Sequence, residues 1–371
     1  MALKIAAPLP CRATRLADVP DVRFPLLDRK LRFALVGCGR ISANHFESLA
    51  RHAERAELVA VCDNRPEALA AAVKRTGARG FASLAELLAG CDADIVTLAT
   101  PSGLHPQQAI EVAQAGRHVL SEKPMATKWD EGMAMVRACR DARVKLFVVK
   151  QNRLNETLQL LKKAVDDGRF GRVFMVNVNV FWTRPQSYYD EAPWRGRWDL
   201  DGGAFMNQAS HYVDMVDWLV GPVDNVHAYT ATLARDIEAE DTGVMSLRLR
   251  SGGLASINVT MLTQGRNFEG SITILGERGT VRIGGVAVNE IQHWQFDEAR
   301  PEDEAVQSAN YAPPSVYGHG HPLYYANVID TLQGCANAEV DGYEGLRSLE
   351  VVIAAYRSAR DGVRVGLPLV F

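Results

Sequence analysis

The chain has 371 residues, of which 47% are hydrophobic and 23% charged, and its formal net charge is −3. That length suits two domains rather than one, and the composition is that of a globular protein able to bury sizeable cores. With no basic excess to displace counterions, no general affinity for nucleic acid is expected, and any anionic ligand must meet a local cluster of Arg and Lys.

No apolar stretch reaches the ~18–20 residues needed to cross a bilayer, so no membrane partner is expected. Cys11, Cys38, Cys62, Cys91, Cys139 and Cys335 are scattered without C-x-x-C or metal-like spacing. Cys62 in an apolar run and Cys38 in a glycine loop read as reduced thiols, and a cytoplasmic location follows. Residues 1–29 hold Pro8, Pro10, Pro20 and Pro25 and lack an apolar core followed by a cleavage site, so no signal peptide is expected. A flexible arm, a subunit-wrapping arm and a misplaced start are all compatible with them.

From Leu31 the chain alternates short apolar runs with helical patterns. The runs 31–36, 57–62, 94–99, 117–121 and 146–149 predict buried parallel strands, with helices at 66–76, 107–115 and 129–142 between them. Such βαβ units build an open sheet that binds ligands beyond the carboxyl ends of its strands, where Thr100, Lys123 and Gln151 fall. After about residue 150 the pattern becomes strand-like alternation at 172–180, 242–250, 254–263, 268–275 and 280–283, with helices at 156–166, 204–220, 322–333 and 343–361. The expected fold is α/β: an N-terminal Rossmann domain (30–150), then an α+β domain (151–371) with a large open, mainly antiparallel sheet, preceded by an extension (1–29).

Gly37-Cys38-Gly39-Arg40-Ile41-Ser42 fits a dinucleotide fingerprint with Ser in the third glycine place. Gly37 permits the tight turn, Gly39 lets backbone approach a pyrophosphate, and a helix from Ser42 aims its amides at the phosphates. Asp63, closing the next strand, should accept from the adenosine ribose and repel a 2′-phosphate, which favours NAD over its phosphorylated form. Lys123, in Glu122-Lys123-Pro124 at the end of the fifth strand, stands where alcohol oxidation needs an ionisable group. Partial burial there would lower its pKa and leave it able to donate to a reacting hydroxyl.

The next signal follows Gly202-Gly203. On one continuous helix, Asn207, His211 and Asp214 share a face opposite the apolar stripe, so His211 is expected to face solvent or a cleft, with Asp214 as its orienting partner. His211 would take the proton while hydride leaves for the nicotinamide. A solvated surface Lys and a solvated helix-face His are the plainer readings of the two residues. His319 and His321 form an H-x-H pair with no further clustered ligands, so no metal is expected.

The fingerprint, Thr100-Pro101-Ser102-Gly103-Leu104-His105, Glu122-Lys123-Pro124 and Gly202-Gly203 with His211 together resemble the glucose–fructose oxidoreductase/inositol dehydrogenase (Gfo/Idh/MocA) family over residues 31–371. The resemblance implies Lys123 and His211 as catalytic pair, and cofactor contacts from Arg40, Ile41, Pro101, His105, Glu122 and Gln151. It also implies an open sheet that makes subunit contacts in dimers or tetramers. Many members carry Asp four residues before the histidine, where this chain has Asn207, and a neutral amide cannot relay a proton.

Lys150-Gln151-Asn152-Arg153, the segment 206–211 and the segment 315–325 are similar to a narrower group, the bacterial UDP-N-acetylglucosaminuronate 3-dehydrogenases of surface-polysaccharide (lipopolysaccharide O-antigen) synthesis. These oxidise C3 of the sugar, and some reoxidise NADH with 2-oxoglutarate. An anionic sugar nucleotide needs cations and aromatic faces. Arg184, Trp194, Arg195 and Trp198, with Arg153, Asn207, Tyr317 and His319, are expected to grip it. The same Trp- and Arg-rich loop could instead serve a domain interface. Competing activities are an inositol or free-sugar dehydrogenase, an NAD-using glycosidase, and a repressor that senses dinucleotide.

Overall fold

The structure is a computed structural model and describes residues 29–312 and 320–369. Its first part runs β1 (Leu31–Val36), α1 (Ser42–Arg51), β2 (Ala56–Cys62), α2 (Pro66–Thr76), β3 (Arg79–Phe81), α3 (Leu84–Gly90), β4 (Ile95–Leu98), α4 (His105–Gln114), β5 (His118–Ser121), α5 (Trp129–Asp141) and β6 (Leu146–Val148). The six strands are parallel in the order β3-β2-β1-β4-β5-β6. Every residue of β4, β5 and β6 is buried, as strands covered by helices on both faces must be. Strand order reverses between β1 and β4, which opens a crevice at their carboxyl ends.

The second part runs α6 (Glu156–Asp166), β7 (Val173–Phe181), α7 (Gln186–Asp190), a wide turn at Ala204–Gln208, α8 (Ser210–Val220), β8 (Val223–Ala231), β9 (Thr242–Leu249), β10 (Leu254–Thr260), β11 (Glu269–Gly276), β12 (Gly279–Gly284), β13 (Glu290–Phe296), α9 (Gly320–Leu332), α10 (Gly342–Asp361) and β14 (Val365–Gly366). Its eight strands lie in the order β13-β12-β11-β7-β10-β9-β8-β14, antiparallel except for the β7–β10 pair. One face buries Val176, Val178, Val180, Met245, Leu247, Ile257 and Val259. On the other, Asn177 donates to Ser256 Oγ (2.9 Å) and Asn258 to Asn179 Oδ1 (3.0 Å), a polar strip flanked by exposed Met175, Val244, Leu254 and Leu275.

Four strands, β3, β8, β13 and β14, have no counterpart in the sequence reading, and the structure explains two of the misses. A register shift between Val223 and Asn225 breaks the alternation of β8, and β13 is an edge strand with Ile291 as its one buried residue. A further difference bears on chemistry. The expected helix over 204–220 is two elements, because Ala209 N–H donates to Ala204 O (2.9 Å), a five-residue span, before α8 begins. That wider turn advances each residue by less than the α-helical angle, so the stripe drawn from Asn207 to Asp214 does not hold. His211 and Asp214 are buried, at 7% and 2% exposure, rather than solvent-facing.

The two parts share one hydrophobic core. α9 returns to the first sheet, where the Tyr324 hydroxyl donates to Val148 O (2.6 Å) and the Tyr325 hydroxyl meets His45 Nδ1 (2.9 Å).

Candidate active site

The loop after β1 is shaped by the backbone it must pass. Gly37 has φ +95°, and a Cβ there would lie 2.5 Å from Ala99 O, so only glycine fits. Gly39 differs, since a Cβ there would meet nothing within 4 Å and faces open space. Ser42 Oγ closes the loop by donating to Gly39 O (2.7 Å). The N-terminus of α1 has neither a capping side chain nor an acidic residue in its first turn, so its positive end is free for an anion. Asp63 accepts from Cys38 N (2.8 Å) and Arg65 N (2.8 Å), which ties the ends of β1 and β2 together. These features fit a dinucleotide, with its diphosphate over Gly39 and its ribose at Asp63.

A cavity of about 950 Å³ extends from this loop. Gly37, Gly39, Arg40, Ile41, Asp63, Thr100, Pro101, Glu122 and Lys123 line one wall. Tyr188, Glu191, Trp194, Arg195, Asp201 and Asn207 line the other, so the cleft lies between the two parts of the chain. His105 stands behind the first wall, buried, with Nδ1 3.0 Å from Pro124 O and Nε2 2.9 Å from Thr100 O. It staples the loops after β4 and β5, so any influence on a cofactor passes through their backbone.

Glu122 is buried at the end of β5. Its Oε1 lies 3.2 Å from His45 Nε2 and 3.6 Å from His321 Nε2, near enough for ion pairing though not aligned as hydrogen bonds. Burial alone would raise its pKa, but the two imidazoles hold it well below the usual carboxylate range. His321 belongs to this buried cluster. Lys123 points across the cleft and donates to Asn207 O (3.0 Å) and Asn207 Oδ1 (3.3 Å). Burial lowers its pKa, Glu122 and Asp201 oppose that shift, and Arg184 adds to it.

His211 Nε2 lies 3.3 Å from Gln151 Nε2, and its Nδ1 has no partner among the described residues. Burial, reinforced by Lys123 and Lys150, holds the imidazole well below its usual pKa and therefore neutral. The expectation that Asp214 orients it is not met. Asp214 takes a two-pronged ion pair from Arg153 (both 2.8 Å) and lies 3.8 Å from Lys150 Nζ. Burial would raise its pKa, but Lys150 and Arg153 hold it down. Arg153 is likewise not presented to the cleft, because it is buried between Asp214 and Glu344. The close spacing of Lys150-Gln151-Asn152-Arg153 puts two cations against one carboxylate on α8, which leaves none to spare for a ligand.

Tyr188 stands among three guanidinium groups, with Arg195 4.2 Å, Arg184 5.4 Å and Arg40 5.9 Å from its ring centroid. Arg184 also donates to Thr183 O and Asn267 Oδ1 behind the cleft wall. Trp198 packs edge-on against Tyr356 (5.0 Å) and is 44% exposed. Tyr317 and His319 lie outside the described residues, as do residues 1–28. No group of three or more His, Cys, Asp or Glu that could hold a metal occurs among the described residues.

Three acidic residues here went unread in the sequence. Asp201 faces the cleft and accepts from Gly196 N (2.8 Å) and from the Asn207 amide. Glu240 lies buried beneath Gly203, where a Cβ would come within 1.8 Å of its Oε2, and it accepts from Phe205 N (2.8 Å) and Tyr356 (2.8 Å). Glu191 pairs with Arg40 (2.9 Å) and Arg195 (2.7 Å), bridging the two walls. The glycine pair was the one available signal for Glu240, since Gly203 has no other reason to lack a side chain.

An open parallel sheet with a glycine loop at its switch point, a cleft-lining lysine and a second α/β layer closing the site define a two-domain nicotinamide-dependent oxidoreductase. Residues 31–150 match the oxidoreductase family's NAD-binding Rossmann fold, and residues 162–367 match its C-terminal alpha/beta domain. The chain belongs to this Gfo/Idh/MocA oxidoreductase family.

Among solved structures, the WlbA dehydrogenase from Bordetella pertussis in complex with NADH and UDP-GlcNAcA is 67% identical, with a TM-score of 0.92 over 93% of this chain and 100% of that one. The WlbA dehydrogenase from Chromobacterium violaceum, in the same kind of complex, is 65% identical, with a TM-score of 0.90 over 94% of this chain and 99% of that one. Inositol 2-dehydrogenase of Rhizobium meliloti is 28% identical over 353 residues, spanning 91% of this chain and 99% of its own.

Proposed function

We propose that the protein oxidises the C3 hydroxyl of UDP-N-acetyl-D-glucosaminuronic acid to the 3-keto sugar, with NAD as acceptor. The observation that carries this reading is identity of about two thirds, over nearly the whole chain, to dehydrogenases solved with NADH and that sugar nucleotide. The second cleft wall supports it. Tyr188, Trp194 and Arg195 offer aromatic faces and a guanidinium opposite the dinucleotide loop, in a chain whose net charge gives an anion no general attraction.

Bound NAD⁺ supplies the hydride acceptor. Lys123, a hydrogen-bond donor held at the cleft by Asn207, donates to the C3 oxygen and stabilises the charge that develops there. His211, held neutral by burial, takes the hydroxyl proton at a ring nitrogen. Gln151, buried with its amide nitrogen 3.3 Å from His211 Nε2, fixes the imidazole ring. Gly39, the α1 amides and Asp63 hold the dinucleotide. Trp194, Arg195 and Trp198, with Tyr317, hold the UDP-sugar.

The reading extends to a cytoplasmic enzyme of lipopolysaccharide O-antigen synthesis, acting as a homotetramer or homodimer through the open sheet face, with 2-oxoglutarate as reoxidant. Purified protein incubated with UDP-N-acetylglucosaminuronic acid, with and without 2-oxoglutarate, should give a ketone 2 Da lighter than substrate by mass spectrometry, on the order of one per active site unless reoxidant is present. No ketone under either condition rejects the assignment.

A further inference from the structure

We propose that Asp201 is the positioning carboxylate of the catalytic lysine, working through Asn207 and supplying from the cleft floor the charge that many relatives place at position 207. This rests on the reading of Lys123 as the amine that meets the reacting hydroxyl. Three contacts carry it: Lys123 Nζ donates to Asn207 Oδ1 (3.3 Å), Asn207 Nδ2 donates to Asp201 Oδ1, and Asp201 Oδ2 accepts from Gly196 N (2.8 Å). Asp201 is 2% exposed and lines the same cleft as Lys123 and Asn207.

A primary amide has two unlike ends, and an ionised carboxylate only accepts. While Asp201 is ionised, Asn207 must give it the NH₂ end and turn its carbonyl oxygen to Lys123. A protonated Asp201 can donate instead, so the amide is free to turn over and would put its NH₂ against the lysine ammonium. The orientation of one neutral side chain is thus set by the proton on its neighbour, and Lys123, which also donates to the Asn207 backbone carbonyl (3.0 Å), gains its second acceptor only when that proton is absent.

The groups facing Asp201 are Lys123 from the end of β5, Arg195 and the Gly196 amide from the loop after α7, Asn207 before α8, Tyr189 on α7, and Glu240 before β9. Burial raises Asp201 to about 6, against the pull of Gly196, Lys123, Asn207 and Arg195. Activity should therefore fall as pH drops through about 6.

The test compares wild type, Asp201→Asn, Asn207→Asp and the exchange Asp201→Asn/Asn207→Asp. One readout is the pH profile of kcat with UDP-N-acetylglucosaminuronic acid. The other is pH-dependent lysine acylation at Lys123, followed by peptide mass spectrometry without substrate. Asp201→Asn should lower kcat about tenfold or more at little cost in KM, abolish the acid limb, and let Lys123 acylate at lower pH, since the charge that holds its proton is gone. The exchange should return both readouts towards wild type. Asn207→Asp sets a second carboxylate beside Asp201; the pair shares one proton and still presents one charge to Lys123, so the acid limb should move to lower pH, which keeps the test open if Asp201→Asn does not fold. Unchanged Lys123 titration in Asp201→Asn, or an unmoved limb in Asn207→Asp, overturns the proposal and leaves Asp201 as a prop for Gly196. A wild type that forms no ketone sinks the substrate reading alone, because the acylation readout needs no substrate.

Discussion

In the proposed mechanism, Lys123 and His211 share one burial effect but differ in the charges around them. The same low-dielectric pocket pulls both groups toward their neutral forms, but Glu122 and Asp201 oppose the shift at the lysine, whereas two nearby cations deepen it at the histidine. The result is a donor beside an acceptor. Replacing His211 by Asn should lower kcat by roughly 10²- to 10⁴-fold, with NADH affinity, read by quenching or energy transfer in fluorescence, unchanged. Because the His211 pKa lies well below its usual value of 6.5, the base stays competent as pH falls through that value. A wild-type acid limb near 6 would accordingly belong to Asp201, and its persistence in Asp201→Asn would assign it to the imidazole instead. Lys123 was legible from the sequence because strand order alone puts the end of β5 at the crevice. Asp201 was not, since its contacts to Gly196 and Asn207 form across an irregular loop with no period to read.

At the scale of elements, the turn at Ala204–Gln208 decides the second half of the site. Gly202 takes φ +77°, Gly203 yields its side-chain space to Glu240, and the wide turn then reorients Asn207 relative to His211. Glu240 stabilises this turn at a cost. Burial raises its pKa to about 7 from a usual 4.5, so in the folded state it binds a proton that the unfolded chain releases. The sign follows: its contribution to stability is full below about 4.5 and is lost as pH rises through about 7. Glu240→Gln keeps the acceptor for Phe205 N and Tyr356 and removes the ionisation. Its melting temperature should exceed that of wild type at pH 8.5, by an amount reflecting on the order of 3 kcal/mol, and the gap should close by pH 5. A constant offset across pH would show that Glu240 titrates alike in the folded and unfolded protein. Helix periodicity read through 204–220 failed at this place because one five-residue hydrogen bond suffices to rotate everything after it.

For the whole molecule, the cleft exists because two layers are locked together. Arg153, Lys150 and Asp214 form a buried charged seam that half-buried Glu344 extends, and α9 carries Tyr324, Tyr325 and His321 back onto the first sheet. Breaking such a seam strands a buried charge, which is why Arg153 is committed to the fold rather than to a ligand. The open face of the large sheet is the remaining uncovered layer, with Val244 of β9 45% exposed among Asn and Ser side chains. If that face joins subunits, Val244→Arg should reduce the molar mass measured by light scattering toward that of one chain while leaving the far-UV spectrum intact. An unchanged mass would place the interface elsewhere.

The sequence by itself determined the parallel sheet, the glycine loop and Asp63, Lys123 at the crevice and the switch to antiparallel strands. Each of these follows from a local period or from residues adjacent in the chain. Tertiary structure alone decided that His211 is buried and neutral, that Asp214 and Arg153 neutralise each other, and that Asp201 stands behind Asn207. Those outcomes depend on which distant segments meet in low dielectric. One widened turn and one buried ion pair redirect them without leaving any periodic trace in the chain.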